Sequence, residues 1–190
     1  VNQIVRGLTE KMEFKGGRSI ASYKHRLLLL IDEFPSLGKL EIFEEALAFI
    51  AGYGMKAYLI IQDMAQLQKH YGREESITSN CHIRIAYAPN KVETAEMLSK
   101  MVGTTTVVKN TYSYSGKRSK TTLDSISAQA SEVSRPLLTP DEIMRLKAPQ
   151  KDANGNITDA GDMLIFQAGA APILGTQILY FLDPTFNERS

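Results

Sequence analysis

The sequence predicts an α/β fold in which a mostly parallel sheet is flanked by helices. Short aliphatic runs alternate with segments of helical periodicity, as in "LLLLI" (27–31) followed by "LEIFEEALAFI" (40–50). The aliphatic runs are continuous, which is typical of strands that are buried on both faces. With 190 residues, 43% of them hydrophobic and 23% charged, the chain is long enough to bury one globular core.

Each element is predicted from its local pattern. The amino-terminal half is predicted to contain a helix over 2–14, a loop over 15–26, a fully buried strand at 27–31, a helix over 37–51 that ends at Gly52 and Gly54, a second buried strand at 56–61 and a helix over 63–71. The second half is predicted to contain a strand at 82–88, a helix from a capping box at Asn90 and Glu93 through Val102, an exposed excursion over 109–134, a short helix capped by Thr139, and strands at 163–168 and 176–182. No second hydrophobic core is indicated.

Composition excludes several classes of function. The net charge of +1 identifies no partner, so a surface for nucleic acid has to be a local patch. Cys81 is the single cysteine, which excludes an internal disulfide, and we interpret it as a small buried residue. The three histidines are far apart, which argues against a zinc site.

No apolar run approaches the roughly 18 residues that a membrane-spanning helix requires. The chain does not begin with Met, and its first residues already have helical periodicity, so we expect further sequence before Val1.

Two adjacent carboxylates, Asp32 and Glu33, follow the strand at 27–31, and Gln62 follows the next strand. In open α/β sheets, ligands bind at the carboxyl ends of the strands. Like charges in contact need a compensating cation. An Asp at this position can hold the hydrated Mg²⁺ that bridges the phosphates of ATP, and the adjacent Glu can orient or deprotonate the attacking water. Gln62 could then contact the γ-phosphate. The alternative is a strand that ends in a solvated loop.

The glycine-rich phosphate-binding loop, G-x-x-x-x-G-K-[ST], does not occur in the sequence; "KGGRSI" (15–20) has neither its spacing nor its Lys. Because this loop precedes the acidic strand in nucleotide-hydrolysing proteins of this kind, we expect it upstream of Val1.

Three long stretches carry a family resemblance. "HRLLLLIDEFPSLGKLEIFEEALAFIAGYGMKAYLIIQDMAQL", "SNCHIRIAYAPNKVETAEMLSKMVGTTT" and "RPLLTPDEIMRL" resemble the TraG-like coupling proteins of bacterial conjugation, which are type IV secretion ATPases related to the FtsK/HerA translocases. The resemblance implies a RecA-like P-loop NTPase core, of which residues 1–190 are the C-terminal portion, lacking the P-loop segment. It gives Asp32 and Glu33 the Walker B roles and Gln62 the γ-phosphate contact.

The resemblance also implies cofactors and partners. The parent protein is expected to bind ATP and Mg²⁺, to form a hexamer, and to lie at the cytoplasmic face of the bacterial inner membrane through a separate anchor. Its expected partners are single-stranded DNA with its relaxase in the relaxosome, and the proteins of the type IV secretion channel.

The chain departs from the family at the arginine finger. Some relatives place an Arg in the turn before the Gln-bearing strand, but here that turn, "AGYGMKA", contains only Lys56. Arg73 and Arg84 are candidates by position alone. The alternative is that both are ordinary surface or strand arginines.

The excursion contains a candidate nucleic-acid surface. No acidic residue occurs from Met97 to Leu123, and basic groups alternate with tyrosines. Such a combination suits single-stranded DNA, because bases stack on aromatic rings and phosphates bind cations. The candidates are Lys109, Tyr112, Tyr114, Lys117, Arg118 and Lys120. A solvated loop with incidental charge is the alternative.

At the level of the whole chain, two functions stay open: part of an ATP-driven motor, or a non-enzymatic docking module for relaxosome or secretion-channel proteins.

Overall fold

The computed structural model describes residues 2–9, 13–15, 18–20, 25–115 and 125–189, with side chains in 2–9, 25–113 and 127–189. Contacts divide the chain into two compact units, residues 1–84 and 85–190.

Unit 1 contains a parallel strand pair, an antiparallel strand pair and several short helices. Its helices are α1 (Asn2–Thr9), α2 (Glu41–Leu47), α3 (Met64–Tyr71) and α4 (Ile77–Asn80), with 3-10 helices at Phe34–Leu37 and Ile50–Tyr53. Its strands are β1 (Glu13–Lys15), β2 (Arg18–Ile20), β3 (Leu27–Ile31) and β4 (Met55–Leu59). The predicted strand at 27–31 and the helix over 63–71 are confirmed. The strand predicted at 56–61 is β4, which begins one residue earlier and ends two residues earlier, at Leu59. The predicted first helix is too long, because it ends at Thr9 and β1 and β2 form an antiparallel pair within 13–20.

The core of unit 1 lies on one face of β3 and β4. Phe34, Phe43, Met55 and Leu67 are among its fully buried side chains. β3 was predicted to be buried on both faces, and this is wrong for the described residues. Burial alternates along the strand, and Leu28 and Leu30 are 62% and 64% exposed.

Unit 2 has a separate core, which contradicts the expectation of a single one. Its strands are β5 (Ile83–Ala86, at the boundary), β6 (Thr104–Ser115), β7 (Ser125–Pro136), β8 (Gln150–Lys151), β9 (Ile157–Asp159), β10 (Asp162–Gln167) and β11 (Ile173–Thr176). Its helices are α5 (Val92–Val102), α6 (Pro140–Met144) and α7 (Pro184–Asn187). The three-stranded sheet has the order β11-β10-β5. Helices α5 and α6 pack Leu98 and Ile143 into a cluster with Leu164 and Phe166 of β10.

Two local predictions about helix starts had different outcomes. The capping box at Thr139 is confirmed, because its hydroxyl and the Glu142 carboxylate cap each other's backbone N–H groups. The prediction of a capping box at Asn90 is wrong. Lys91 is the N-cap residue of α5, and its side chain forms no hydrogen bond that caps the helix. The predicted last strand at 176–182 is also misplaced, because β11 ends at Thr176.

The sheets are mixed, so the prediction of a mostly parallel sheet is wrong. Strands β3 and β4 are parallel, whereas β1–β2, β6–β7, β8–β9 and β10–β11 are antiparallel. The predicted excursion is a regular hairpin, since β6 and β7 pair along 12 residues each. The sequence concealed these strands because most of their residues are small or polar and few are large and apolar. Within the described ranges, no helix is long and apolar enough to cross a membrane.

Candidate functional site

The parallel pairing of β3 with β4 brings Asp32, Glu33 and Gln62 to the same edge of the strand pair. Ile31 lies opposite Leu59, and the Ile60 N–H donates to the Ile31 carbonyl at 3.0 Å. Both strands therefore end together. The chain leaves β3 into Asp32 and Glu33, and leaves β4 toward Gln62. The sheet rule predicted this arrangement, because parallel strands place their carboxyl ends on the same side.

Glu33 has an unusual backbone. Its φ and ψ are 48° and 50°, and among the described residues it is the one non-glycine with positive φ. Left-handed backbone costs an ordinary residue about 1–2 kcal/mol. The conformation turns the chain sharply out of β3, so that the Phe34 N–H donates to the Ile60 carbonyl at 2.9 Å. The Glu33 side chain stays exposed at the edge.

Gln62 contacts Glu33 directly, since its side-chain amide Nε2 donates to the Glu33 carboxylate oxygen Oε1. The residues come from different strands, 29 positions apart in the chain. Sequence reasoning placed both at the edge but missed this bond. An amide that donates to a carboxylate fixes the orientation of that carboxylate, which is a requirement for a group that accepts a proton from a positioned water.

Asp32 has the chemistry of a magnesium ligand. Its Oδ1 accepts the Glu33 N–H at 3.0 Å, and within the described part of the chain Oδ2 accepts no hydrogen bond, so it is open to a ligand. No group of three or more His, Cys, Asp or Glu side chains with metal-binding geometry occurs among the described residues. Mg²⁺ commonly takes one or two carboxylates and completes its shell with water and substrate phosphates. Asp32 fits that role but cannot hold the ion alone.

Neither candidate finger arginine contacts this edge in the described structure. Arg73 follows the carboxyl end of α3, whereas Gln62 precedes its amino end. The 8 residues of the helix span about 12 Å at 1.5 Å per residue. Arg84 lies on β5, and its Nε is buried without a hydrogen-bond partner in the described structure. Neither arginine bonds to Asp32, Glu33 or Gln62 there, and a finger role for either stays a prediction.

The hairpin carries part of the candidate nucleic-acid surface. Lys109 and Tyr112 are exposed on β6, three residues apart, so their side chains leave opposite faces of the ribbon. Tyr114 lies near the end of β6, and its side chain is not described. Lys117, Arg118 and Lys120 lie outside the described residues. The basic and aromatic groups that are described thus do not share one face, and DNA binding stays a prediction.

Cys81 is half-buried, and burial is the main cause that raises the pKa of its thiol, with the nearby Glu75 carboxylate adding to the effect. A raised pKa keeps the thiol protonated and unreactive. Cys81 is thus less buried than the sequence predicts, and its raised pKa argues against a role as a nucleophile.

Comparisons with known proteins agree with the predicted resemblance. The profile of the family described as "Type IV secretory system Conjugative DNA transfer" matches residues 1–190. The chain is 57% identical to a conjugal transfer protein TraG of Escherichia coli, with all of this chain and 30% of TraG covered. It is 33% identical to the protein VirD4 of Rhizobium rhizogenes, with 84% and 22% covered. The chain thus spans about a third or less of the length of these relatives.

Solved structures of the conjugative coupling protein TrwB share the fold. An unbound form has a TM-score of 0.64 at 18% identity, covering 94% of this chain and 36% of TrwB. A form of TrwB in complex with ADP and Mg²⁺ has a TM-score of 0.56 at 20% identity, covering 82% and 31%. The match of the family profile to every residue, together with the TraG identity, shows that this chain belongs to the family of type IV secretion proteins for conjugative DNA transfer.

Proposed function

We propose that this chain carries the hydrolytic edge of an ATP-driven motor that links relaxosome DNA to a type IV secretion channel. The observation that supports this most directly is the meeting of Asp32, Glu33 and Gln62 at the end of a parallel strand pair, with Gln62 bonded to Glu33. A strand that merely ended in a solvated loop would not require the left-handed backbone at Glu33.

Each residue has a separate role in this proposal. Asp32 would hold Mg²⁺, which when bound neutralises charge on the β- and γ-phosphates of ATP. Glu33 would orient the attacking water and accept its proton, and the Gln62 amide would hold the Glu33 carboxylate in position before the nucleotide binds. By the family resemblance, the same amide would also contact the γ-phosphate.

We further propose that the active protein is longer than this chain and that its phosphate-binding loop lies upstream of Val1, in a RecA-like domain of which residues 1–190 are the C-terminal portion. An exposed apolar face supports this. Leu28, Leu30, Tyr58 and Ile60 are all 39% or more exposed on β3 and around β4. Parallel sheets are normally covered on both faces. The TraG relatives are also more than three times as long as the part that this chain matches.

The remaining proposals concern assembly. We propose that the parent forms a hexamer at the cytoplasmic face of the inner membrane, with relaxase-bound single-stranded DNA and secretion-channel proteins as partners. The names of the relatives, conjugal transfer protein TraG and conjugative coupling protein TrwB, support a role in the coupling of conjugative DNA transfer. Arg73 is exposed and could reach a neighbouring subunit, whereas the half-buried Arg84 would need to move.

The segment between β6 and β7 in the sequence could contact DNA. In this proposal, replacing Lys117, Arg118 and Lys120 by Ala weakens binding to single-stranded DNA. It should also lower the salt slope of log K by about 0.7 for each phosphate contact removed. Binding is measured by fluorescence anisotropy over a range of salt concentrations, with Lys151→Ala, an exposed residue outside the hairpin, as control. An unchanged salt slope would show that these three residues make no phosphate contacts.

Docking is the second candidate function, and the hairpin is also the observation that favours it. Two-stranded ribbons are marginally stable in isolation. Here Val108 and Tyr112 are 64% and 56% exposed on strands of 12 residues. A protein that covers the ribbon would therefore stabilise it.

The decisive experiment uses the full-length protein and measures ATP turnover and Mg-ATP binding separately. Glu33→Gln should lower turnover by about 10²- to 10⁴-fold, the usual contribution of a general base, with binding nearly intact. Asp32→Ala should weaken binding as well, and Gln62→Ala should cost less turnover than Glu33→Gln. Glu45→Gln on α2 is an exposed control. Near-normal turnover of Glu33→Gln would leave docking as the better assignment.

A further inference from the structure

Helix α3 follows Gln62 in the chain, and its last residue contacts the turn that follows Glu33. It begins directly after Gln62, where the Asp63 carboxylate caps it by accepting the Ala65 N–H at 2.9 Å. It ends at Tyr71. Both ends of this short helix therefore lie beside segments that determine the position of Glu33.

The Tyr71 hydroxyl binds the far end of the segment that follows Glu33. It accepts the Leu40 N–H at 3.0 Å and donates to the Gly38 carbonyl at 3.2 Å. These two backbone groups lie where the 3-10 helix Phe34–Leu37 ends and α2 begins. Burial raises the pKa of Tyr71, so the hydroxyl stays protonated and able to donate.

The Tyr71 ring holds the other end of the same segment. It stacks on Phe34, with ring centroids 5.7 Å apart and the planes 18° from parallel. Phe34 is fully buried, and its second aromatic neighbour is Phe43, with a centroid distance of 5.6 Å. Tyr71 thus contacts the residue next to Glu33 through its ring and the end of the turn through its hydroxyl.

Glu33 requires such support because its backbone is strained. A residue in the left-handed region keeps that conformation only where its surroundings enforce it. Two kinds of contact do so here: the bond from the Phe34 N–H to the Ile60 carbonyl, and the packing of the Phe34 ring. Without them the chain could relax, and the carboxylate would leave the edge.

We propose that Tyr71 is a positioning residue for Glu33, which it holds in place through Phe34 and the Gly38–Leu40 backbone. This inference rests on the proposed role of Glu33 as the general base. A misplacement of about 1 Å at a reacting centre can cost roughly 10²-fold in rate. Loss of the hydroxyl alone, with the ring retained, should cost less than that.

The test uses ATP turnover by the full-length protein. Tyr71→Phe removes the hydroxyl and keeps the stacking. We expect kcat to fall by about tenfold with the KM for ATP unchanged, since the loss concerns the water and not the nucleotide. Tyr53→Phe is the matched control, because the Tyr53 hydroxyl forms no hydrogen bond within the described residues. It should retain normal kcat.

A double variant separates positioning from a general loss of structure. If Tyr71 acts through Glu33, then Tyr71→Phe should cause no further loss in single-turnover rate when Glu33 is already Gln. The inference is overturned if the loss persists in that background, if KM rises together with the fall in kcat, or if Tyr71→Phe and Tyr53→Phe behave alike. Normal turnover of Glu33→Gln would instead refute the proposed function itself, so the two failures are distinguishable.

Discussion

The left-handed backbone at Glu33 is strained, and this strain lowers the free energy of unfolding of the chain. Glu33→Gly and Glu33→Ala both remove the carboxylate and its bond to Gln62, so their difference isolates the backbone. Gly relieves about 1–2 kcal/mol of left-handed strain. It also costs about 0.4–1 kcal/mol, because the unfolded chain becomes more flexible. Glu33→Gly should therefore be more stable than Glu33→Ala by about 1 kcal/mol. Midpoints of chemical unfolding of this chain measure the difference.

A helical position supplies the control for this pair. Gln68 is exposed in the middle of α3. There Gly should be less stable than Ala by about 1 kcal/mol, so the sign reverses. If Gly proves the less stable replacement at Glu33 too, then the left-handed turn is absent and the argument for strain at the edge is wrong.

Three further predictions concern packing, capping and reactivity. Phe34→Ala should lower the free energy of unfolding by about 3–5 kcal/mol, because the ring is fully buried, whereas Phe49→Ala at a 45% exposed site should cost much less. Thr139→Ala should cost about 1 kcal/mol and Thr139→Ser little, as measured by denaturant midpoints; equal losses would mean that the hydroxyl does not cap α6. Cys81 should react with a thiol reagent more slowly in the folded chain than in denaturant near neutral pH. Its raised pKa leaves less thiolate, and equal rates would contradict this.

The position of the site could be predicted from the sequence because it depends on local patterns and one general rule. Continuous aliphatic runs predicted β3 and β4, and the rule that parallel strands end together placed Asp32, Glu33 and Gln62 at one edge. The cap of α6 could be predicted for a similar reason, since a capping box needs residues only three apart.

The geometry within the site could not be predicted, because it depends on contacts between distant segments. The backbone of Glu33 is enforced by the Ile60 carbonyl and by the stacking of Phe34 on Tyr71, and no local signal identifies either partner. The exposed face of β3 was missed for another reason. A continuous aliphatic run contains no alternation, so nothing in it distinguishes the exposed Leu28 and Leu30 from the half-buried Leu27 and Leu29.

The bonds that build the carboxylate edge have a consequence for the order of folding, because all of them lie between residues 31 and 71. The bond of Gln62 to Glu33 spans 29 residues, and that of Tyr71 to Gly38 spans 33. Doubling the length of such a loop adds only about 0.6 kcal/mol to the free-energy cost of closing it. Synthesis proceeds at about 5–20 residues per second, so this stretch is complete several seconds before the chain reaches its end. The edge can therefore assemble on the ribosome while most of unit 2 has still to be translated.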